Sequence, residues 1–206
     1  MVQKKAAVTQ VEAWVRRELE GNGPRAHGWL HTNRVRHNIL ALAPAEGVDP
    51  FLAELAALFH DVGRTQPGPE KEHGARSATI AAPILKGLPL NEDEQEAVLF
   101  AIHYHNSGRD DTPLLRVLRD ADMLDALGAI GIMRAFMSKG HLPAYDPLDP
   151  FEMERSHWPT RTASDQVLGQ CKFYGWLNTS TARSMAEERV AFMNQFVAQI
   201  RRELEE

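Results

Sequence analysis

Residues 56–64 read Ala56-Ala57-Leu58-Phe59-His60-Asp61-Val62-Gly63-Arg64, an apolar helical run that stops abruptly at an adjacent histidine and aspartate. Imidazole and carboxylate side by side are two good ligands for a divalent cation. Against apolar neighbours an ionised aspartate is costly unless a cation or hydrogen bonds satisfy it. Gly63 is expected to let the chain leave the helix through the left-handed conformation. A lone His-Asp doublet is more often a surface pair or a helix end than a site, so its weight depends on its company. His31 and Asp122 supply that company, because each also lies among apolar residues at helical spacing. Helix packing could bring His31, His60, Asp61 and Asp122 to one point inside a bundle. Such a donor set suits Mn, Fe, Co, Ni or Zn, while the absence of thiolate disfavours a structural zinc site. Four protein ligands would leave water positions open on an octahedral ion.

Further residues could serve a substrate at such an ion. Arg34, Arg64, Lys172 and Arg189 are candidate phosphate contacts, since fixed donors stabilise the charge of a phosphoryl transition state; each could equally be an ordinary surface cation. Asp125, one helical turn after Asp122, could orient a water or a ligand histidine, or pair with a neighbouring arginine. His73 and His105 raise the question of a second metal. We expect one ion, with His73 and His105 facing the substrate as proton donors or phosphate contacts. His27, one turn before His31, is either an orienting partner or a helix-start contact, and His37 and His103 read as surface or structural histidines.

The motifs taken together are more specific than any one of them. His31-Thr32-Asn33-Arg34-Val35, Leu58 through Arg64, and Arg119-Asp120-Ala121-Asp122-Met123-Leu124-Asp125-Ala126 resemble the HD-domain metal-dependent phosphohydrolases. In that superfamily a first His, a His-Asp doublet and a later Asp ligate a divalent metal in a helical bundle. His73-Gly74-Ala75-Arg76-Ser77-Ala78, Ala101-Ile102-His103-Tyr104-His105 and Leu127-Gly128-Ala129-Ile130-Gly131-Ile132 are similar to a small bacterial branch of it. The resemblance runs over residues 27–136. It implies that His31, His60, Asp61 and Asp122 hold the metal, with Mn favoured among Mn, Mg, Co, Ni, Fe and Zn. It also implies hydrolysis of a phosphoester or phosphoanhydride, in a nucleotide or other small phosphorylated metabolite. A divalent ion there would lower the pKa of a bound water from about 15.7 towards ~7 and polarise a phosphoryl oxygen. Two alternatives belong to other classes: a di-iron HD-type oxygenase, and a ligand-binding HD module without turnover. An intact ligand set with open water positions speaks against the second.

These residues need helices to position them, and the periodicity supplies only helices. Val8, Val11, Val15 and Leu19 mark a first helix that stops at Gly21-Asn22-Gly23-Pro24. A second spans residues 28–43, with Val35, Ile39 and Leu42 on one face and His27, His31, Val35 and Asn38 along a nearby one. Asp49-Pro50 is an N-cap followed by proline at the first helical position, and it opens the helix that ends at His60-Asp61. Residues 63–69 read as a loop. Residues 73–86 are helical, with Pro83 expected to kink the helix or mark a new start. Asn91 with Glu94 resembles a capping box ahead of a helix to His105. Thr112-Pro113 opens another through Leu127, and Gly128 breaks or tightens the junction with the segment 130–137. Residues 140–162 are rich in proline, aspartate and aromatics; we expect an ordered loop over the metal pocket, with Tyr145 and Trp158 able to stack on a base. Helix returns over 164–177, and Ala186, Val190, Met193, Val197, Ile200 and Leu204 form a last seam for the core or for a homodimer.

Composition sets the outer bounds. A chain of 206 residues, 43% hydrophobic and 25% charged, fits one all-α domain over 1–206 with a sizeable core. Its core would be 27–136, with C-terminal helices 164–204 packed on it. A net charge of −5 gives no electrostatic reason to expect duplex nucleic acid. No signal-type apolar region follows Lys4-Lys5 and no membrane-length apolar run occurs, so the chain reads as cytoplasmic with no membrane partner. Cys171 is the only cysteine, which rules out an internal disulfide and a cysteine-rich zinc site. Replacing the doublet carboxylate is the first test of the site: Asp61→Ala should abolish metal binding and hydrolysis together, measured by metal analysis and turnover on the same preparation.

Overall fold

The computed structural model describes residues 2–22, 25–108, 112–146 and 161–205. All regular elements among them are helices. They fall into two compact units, Met1–Asp122 and Met123–Glu206.

The first unit is built around a short apolar helix. Asp49 caps it, accepting a 2.8 Å hydrogen bond from the Phe51 amide, and Pro50 opens it, as the sequence predicts. This helix, α3 (Pro50–Phe59), follows α1 (Val2–Asn22) and α2 (Trp29–Leu42). Its Phe51, Leu55, Leu58 and Phe59 are buried, meeting Val8, Val11, Val15 and Leu19 of α1 and Val35, Ile39 and Leu42 of α2 in one core. Each such side chain contributes roughly 1.5–3 kcal/mol by leaving water. The helices α4 (His73–Leu85) and α5 (Glu92–Tyr104) cover α3 from the other side. Asn91 and Glu94 form the expected capping box at the start of α5. α6 (Pro113–Asp125) closes the unit, and Thr112 Oγ1 accepts from the Leu115 amide at its start.

Three local expectations need correction. Residues after Asp61 form a 3₁₀ turn, Val62–Thr65, where a plain loop was expected. Gly63 is not left-handed; the positive-φ glycines are Gly47, Gly68 and Gly128. Its requirement is spatial, because a Cβ there would stand 2.3 Å from the His73 carbonyl oxygen and 2.5 Å from the Ser77 amide nitrogen. The doublet turn thus lies directly on the first turns of α4. Pro83 does not start a new helix either. It sits inside α4 two residues before its last, Leu85, where the one hydrogen bond it forfeits belongs to the carbonyl of exposed Thr79.

The second unit holds α7 (Gly128–Ser138), α8 (Ala163–Cys171), the single turn α9 (Phe173–Trp176) and α10 (Ser180–Glu205). Gly128 enters α7 at φ 75°, so the junction does need a glycine. Thr162 and Asp165 form a capping box on α8. Along α10, Ala182, Ala186, Met193 and Val197 are buried, but the seam does not continue, since Leu204 is 43% exposed. Of the expected loop over 140–162, Trp158 lies outside the described residues, and Tyr145 is exposed.

Gly63→Ala should lower stability by about 1–3 kcal/mol, since a methyl group must push two backbone segments apart. Denaturant unfolding at neutral pH measures it.

Candidate metal centre

Three histidines of the centre, His60, His73 and His105, are aimed by the backbone beside their own helix ends. His60 follows the last residue of α3, and its Nδ1 lies 2.7 Å from the Ala57 carbonyl. His105 follows α5, with Nδ1 2.7 Å from the Ile102 carbonyl. His73 opens α4, with Nδ1 2.6 Å from the Glu70 carbonyl. A carbonyl only accepts, so in all three rings the proton is on Nδ1 and the lone pair of Nε2 points inward. Side chains from elsewhere hold these ends in register. Ser77 Oγ donates to the His60 carbonyl at 2.6 Å and accepts from the Gly63 amide at 2.8 Å. Arg119 donates from α6 to the carbonyls of Tyr104 and His105, and Asn38 donates from α2 to the Ala121 carbonyl at 3.0 Å, one residue before Asp122.

The inward atoms converge. His31 Nε2 is 3.2 Å from His60 Nε2, 3.5 Å from Asp61 Oδ2 and 3.4 Å from Asp122 Oδ1, and His60 Nε2 is 3.6 Å from Asp61 Oδ2. Two ligands bound to one ion at about 2.0–2.2 Å stand roughly 3.0–3.5 Å apart, a spacing that His31 Nε2 shows to His60, Asp61 and Asp122. One proton on His31 Nε2 can serve only one of the three acceptors facing it. A divalent ion serves all of them, and the donor set therefore fits one.

A second group meets the other oxygen of the same carboxylate. Asp61 Oδ1 lies 3.2 Å from His73 Nε2 and 3.8 Å from His105 Nε2, and the two imidazole nitrogens are 3.0 Å apart. Arg64 joins here, donating from Nε to Asp61 Oδ1 at 2.7 Å, from Nη2 to His73 Nε2 at 3.1 Å, and from Nη1 to Glu70. His27 is the contact that sequence reasoning left undecided. Its Nδ1 lies 2.9 Å from Asp61 Oδ2, which makes it an orienting partner. The 3.6-residue spacing to His31 was the available signal. Ser77 and Asn38, by contrast, carried no chemical signal, because hydroxyls and amides that brace a backbone look like any other polar residue.

Asp61 is 1% exposed and His60 is fully buried. Burial opposes the charge of Asp61, yet the hydrogen-bonding contacts of His27 and His31 hold its carboxyl well below the usual carboxylate range. Burial likewise lowers His60 and pushes His105 down to about 3, which leaves both neutral and able to ligate at pH 7. Asp122 and His27, whose side chains are 36% and 31% exposed, form the side open to water.

The remaining candidates are placed as follows. Arg34 is half-buried on α2, one turn after His31. His37 and His103 are exposed, as expected. In the second unit Asp125 is buried and paired with Arg134 at 3.0 Å, Arg189 Nη1 donates to the Leu124 carbonyl at 2.6 Å, and Lys172 caps α8.

Known proteins share this fold. The sequence pattern of the HD domain matches residues 28–127, and a Bacillus subtilis protein, YpgQ, is 30% identical over 95% of this chain and 92% of its own. The chain belongs to the HD-domain family. The crystal structure of YpgQ in complex with ADP superposes with a TM-score of 0.77 at 26% identity, covering 98% of this chain and 96% of that one. An HD-superfamily hydrolase from Bacillus thuringiensis has a TM-score of 0.77 at 29% identity, over 97% of each chain. The symmetrical bis(5'-nucleosyl)-tetraphosphatase of Bacillus subtilis is 34% identical over 48% of this chain and 61% of its own. The fold is thus the all-α HD domain, with a His/Asp cluster that fits a divalent metal. No helix among the described residues is long and apolar enough to cross a membrane.

The neutral burial of His105 gives a pH signature for the metal-free HD domain. Its folded-state pKa of about 3 lies below the ordinary imidazole value of 6.5, so between these the unfolded chain binds the extra proton. Stability should be flat above about pH 6.5 and fall as pH drops below it. Depressed Asp61 adds a further loss below its ordinary range. The urea midpoint of chelated protein between pH 7.5 and 4.5 measures this, and His105→Asn should flatten the slope.

Proposed function

We propose that this HD domain hydrolyses a phosphoester or phosphoanhydride bond in a nucleotide or similar small phosphorylated metabolite. One divalent ion, manganese favoured, would be held by His31, His60, Asp61 and Asp122. The observation that carries this reading is that His60, Asp61 and Asp122 all stand within 3.5 Å of His31 Nε2, with buried His60 kept neutral and Asp61 kept ionised. When bound, the ion supplies Lewis-acid polarisation of a phosphoryl oxygen and acidifies a water. ADP in the YpgQ crystal supports a nucleotide, and the likeness to the tetraphosphatase supports a bond between phosphates.

The chain's own residues then have separable tasks. Arg64 retains N–H donors beyond the three contacts it makes, so it can bind a phosphate oxygen while remaining on Asp61. Arg34 can approach from the neighbouring turn of α2. His105 Nε2, unprotonated, accepts a hydrogen bond from a water or from a substrate hydroxyl. His27 steadies Asp61 Oδ2 from the open side.

One observation favours a second reading. Asp61 offers Oδ2 to one histidine group and Oδ1 to another, an arrangement that a dinuclear centre, including a di-iron oxygenase, could use. Metal stoichiometry and oxygen consumption separate the two.

The decisive experiment is a phosphate and pyrophosphate release screen over nucleoside mono-, di- and triphosphates and dinucleoside polyphosphates with several divalent ions. Release with a metal requirement supports the reading; oxygen uptake with iron and no release refutes it. His105→Ala should reduce turnover while the protein keeps about one equivalent of metal, because the ligands of the ion are intact.

A further inference from the structure

Resting on the one-ion reading above, the inference concerns the second histidine group. Asp61 Oδ1, His73 Nε2 and His105 Nε2 form a three-acceptor cluster of metal-ligand types, all within 4.8 Å of one another and all buried. Three convergent acceptors repel one another unless something positive lies among them. The chain supplies that charge itself. The guanidinium of Arg64, only 10% exposed, donates to two of the three acceptors and is held from the other side by Glu70.

The valence of His73 makes this occupancy exclusive. Its Nδ1–H is committed to the Glu70 carbonyl at 2.6 Å, so Nε2 has one in-plane lone pair. That pair accepts from Arg64 Nη2 at 3.1 Å. It can accept a hydrogen bond or coordinate a metal, and it cannot do both. The carboxylate is different, since Asp61 has a second oxygen facing His31 and His60 that Arg64 does not touch. Arg64 thus blocks one cation position and leaves the other open. Arginine suits this task better than lysine in one respect: its planar fork reaches Asp61, His73 and Glu70 at once and stays charged at every physiological pH.

We propose that Arg64 is a built-in cation that takes the place of a second metal ion, and that it makes the centre mononuclear. Glu70 strengthens the lock twice, through its carboxylate on Arg64 and its carbonyl on His73. Because Glu70 is 75% exposed while the groups it secures are buried, the lock is fastened from the surface.

The test counts metal, so it does not depend on turnover. Apo-protein titrated with Mn(II) alone by calorimetry, and examined by electron paramagnetic resonance, should bind one ion with an uncoupled six-line signal. Arg64→Met removes the charge while keeping an unbranched side chain; it should bind two ions and show exchange coupling between them. Arg64→Lys keeps the charge and should stay nearer one. Adding His105→Ala to Arg64→Met should return the count to one, which locates the second ion. Glu70→Ala, at an exposed side chain, should lower the Mn(II) concentration at which a second ion enters, and it carries the test if Arg64→Met fails to fold. A single ion in folded Arg64→Met, or no change in Glu70→Ala where that variant carries the test, overturns the inference and leaves the one-ion reading standing. Two ions in the unaltered protein overturn both, and none in it removes the one-ion reading and this inference with it.

Discussion

A charged carboxylate buried at a helix end is the constraint from which the rest of this structure follows. Asp61 is almost wholly removed from water, and an isolated charge in such a place would cost several kcal/mol. Five imidazoles and one guanidinium face it. Most of those rings present lone pairs and cannot neutralise it, so the protein has gathered donors for a cation around an anion. Stability and chemistry are therefore opposed in the metal-free protein. The hydrophobic burial of α3 must hold together what the acceptors at its end push apart.

That tension explains why so much bracing surrounds a small centre. Ser77 ties the doublet turn to α4, Arg119 ties the end of α5 to α6, and Asn38 ties α2 to the turn that carries Asp122. None of these residues ligates anything. Ser77 and Arg119 satisfy backbone groups at helix ends near the cluster, and together with the Asn38 bond they hold the candidate ligands in place.

Helices and the His/Asp cluster were legible in the sequence for different reasons. Helix positions followed from apolar periodicity and from explicit caps, such as Asp49-Pro50 and Asn91 with Glu94. The candidate ligands stood out as residue types that are costly in apolar surroundings. What could not be read was distance between segments. Gly63 was recognised as necessary, but the reason was misassigned, because its close approach to His73 and Ser77 involves residues ten and more positions away. Arg64 was seen as a phosphate contact, while its hold on His73 and Glu70 emerges only once the 3₁₀ turn places them together. At Pro83 local propensity allows a kink or a new start, and the exposed Thr79 carbonyl lets α4 run on without a new start.

The three backbone-anchored histidines carry a consequence for how this site can change. Metal-binding imidazoles are commonly tuned through a carboxylate on the far nitrogen, and altering that carboxylate alters the ring's basicity. Here the far nitrogens of His60, His73 and His105 rest on main-chain carbonyls three residues upstream. For His60 and His105 electronic character is thus a property of helix geometry and is insulated from point substitution, whereas His73 Nδ1 is also met by the Asn106 amide at 3.2 Å. Sequence can drift widely across such a scaffold with its chemistry intact, whereas inserting or deleting one residue in the last turn before a histidine would turn the ring away altogether.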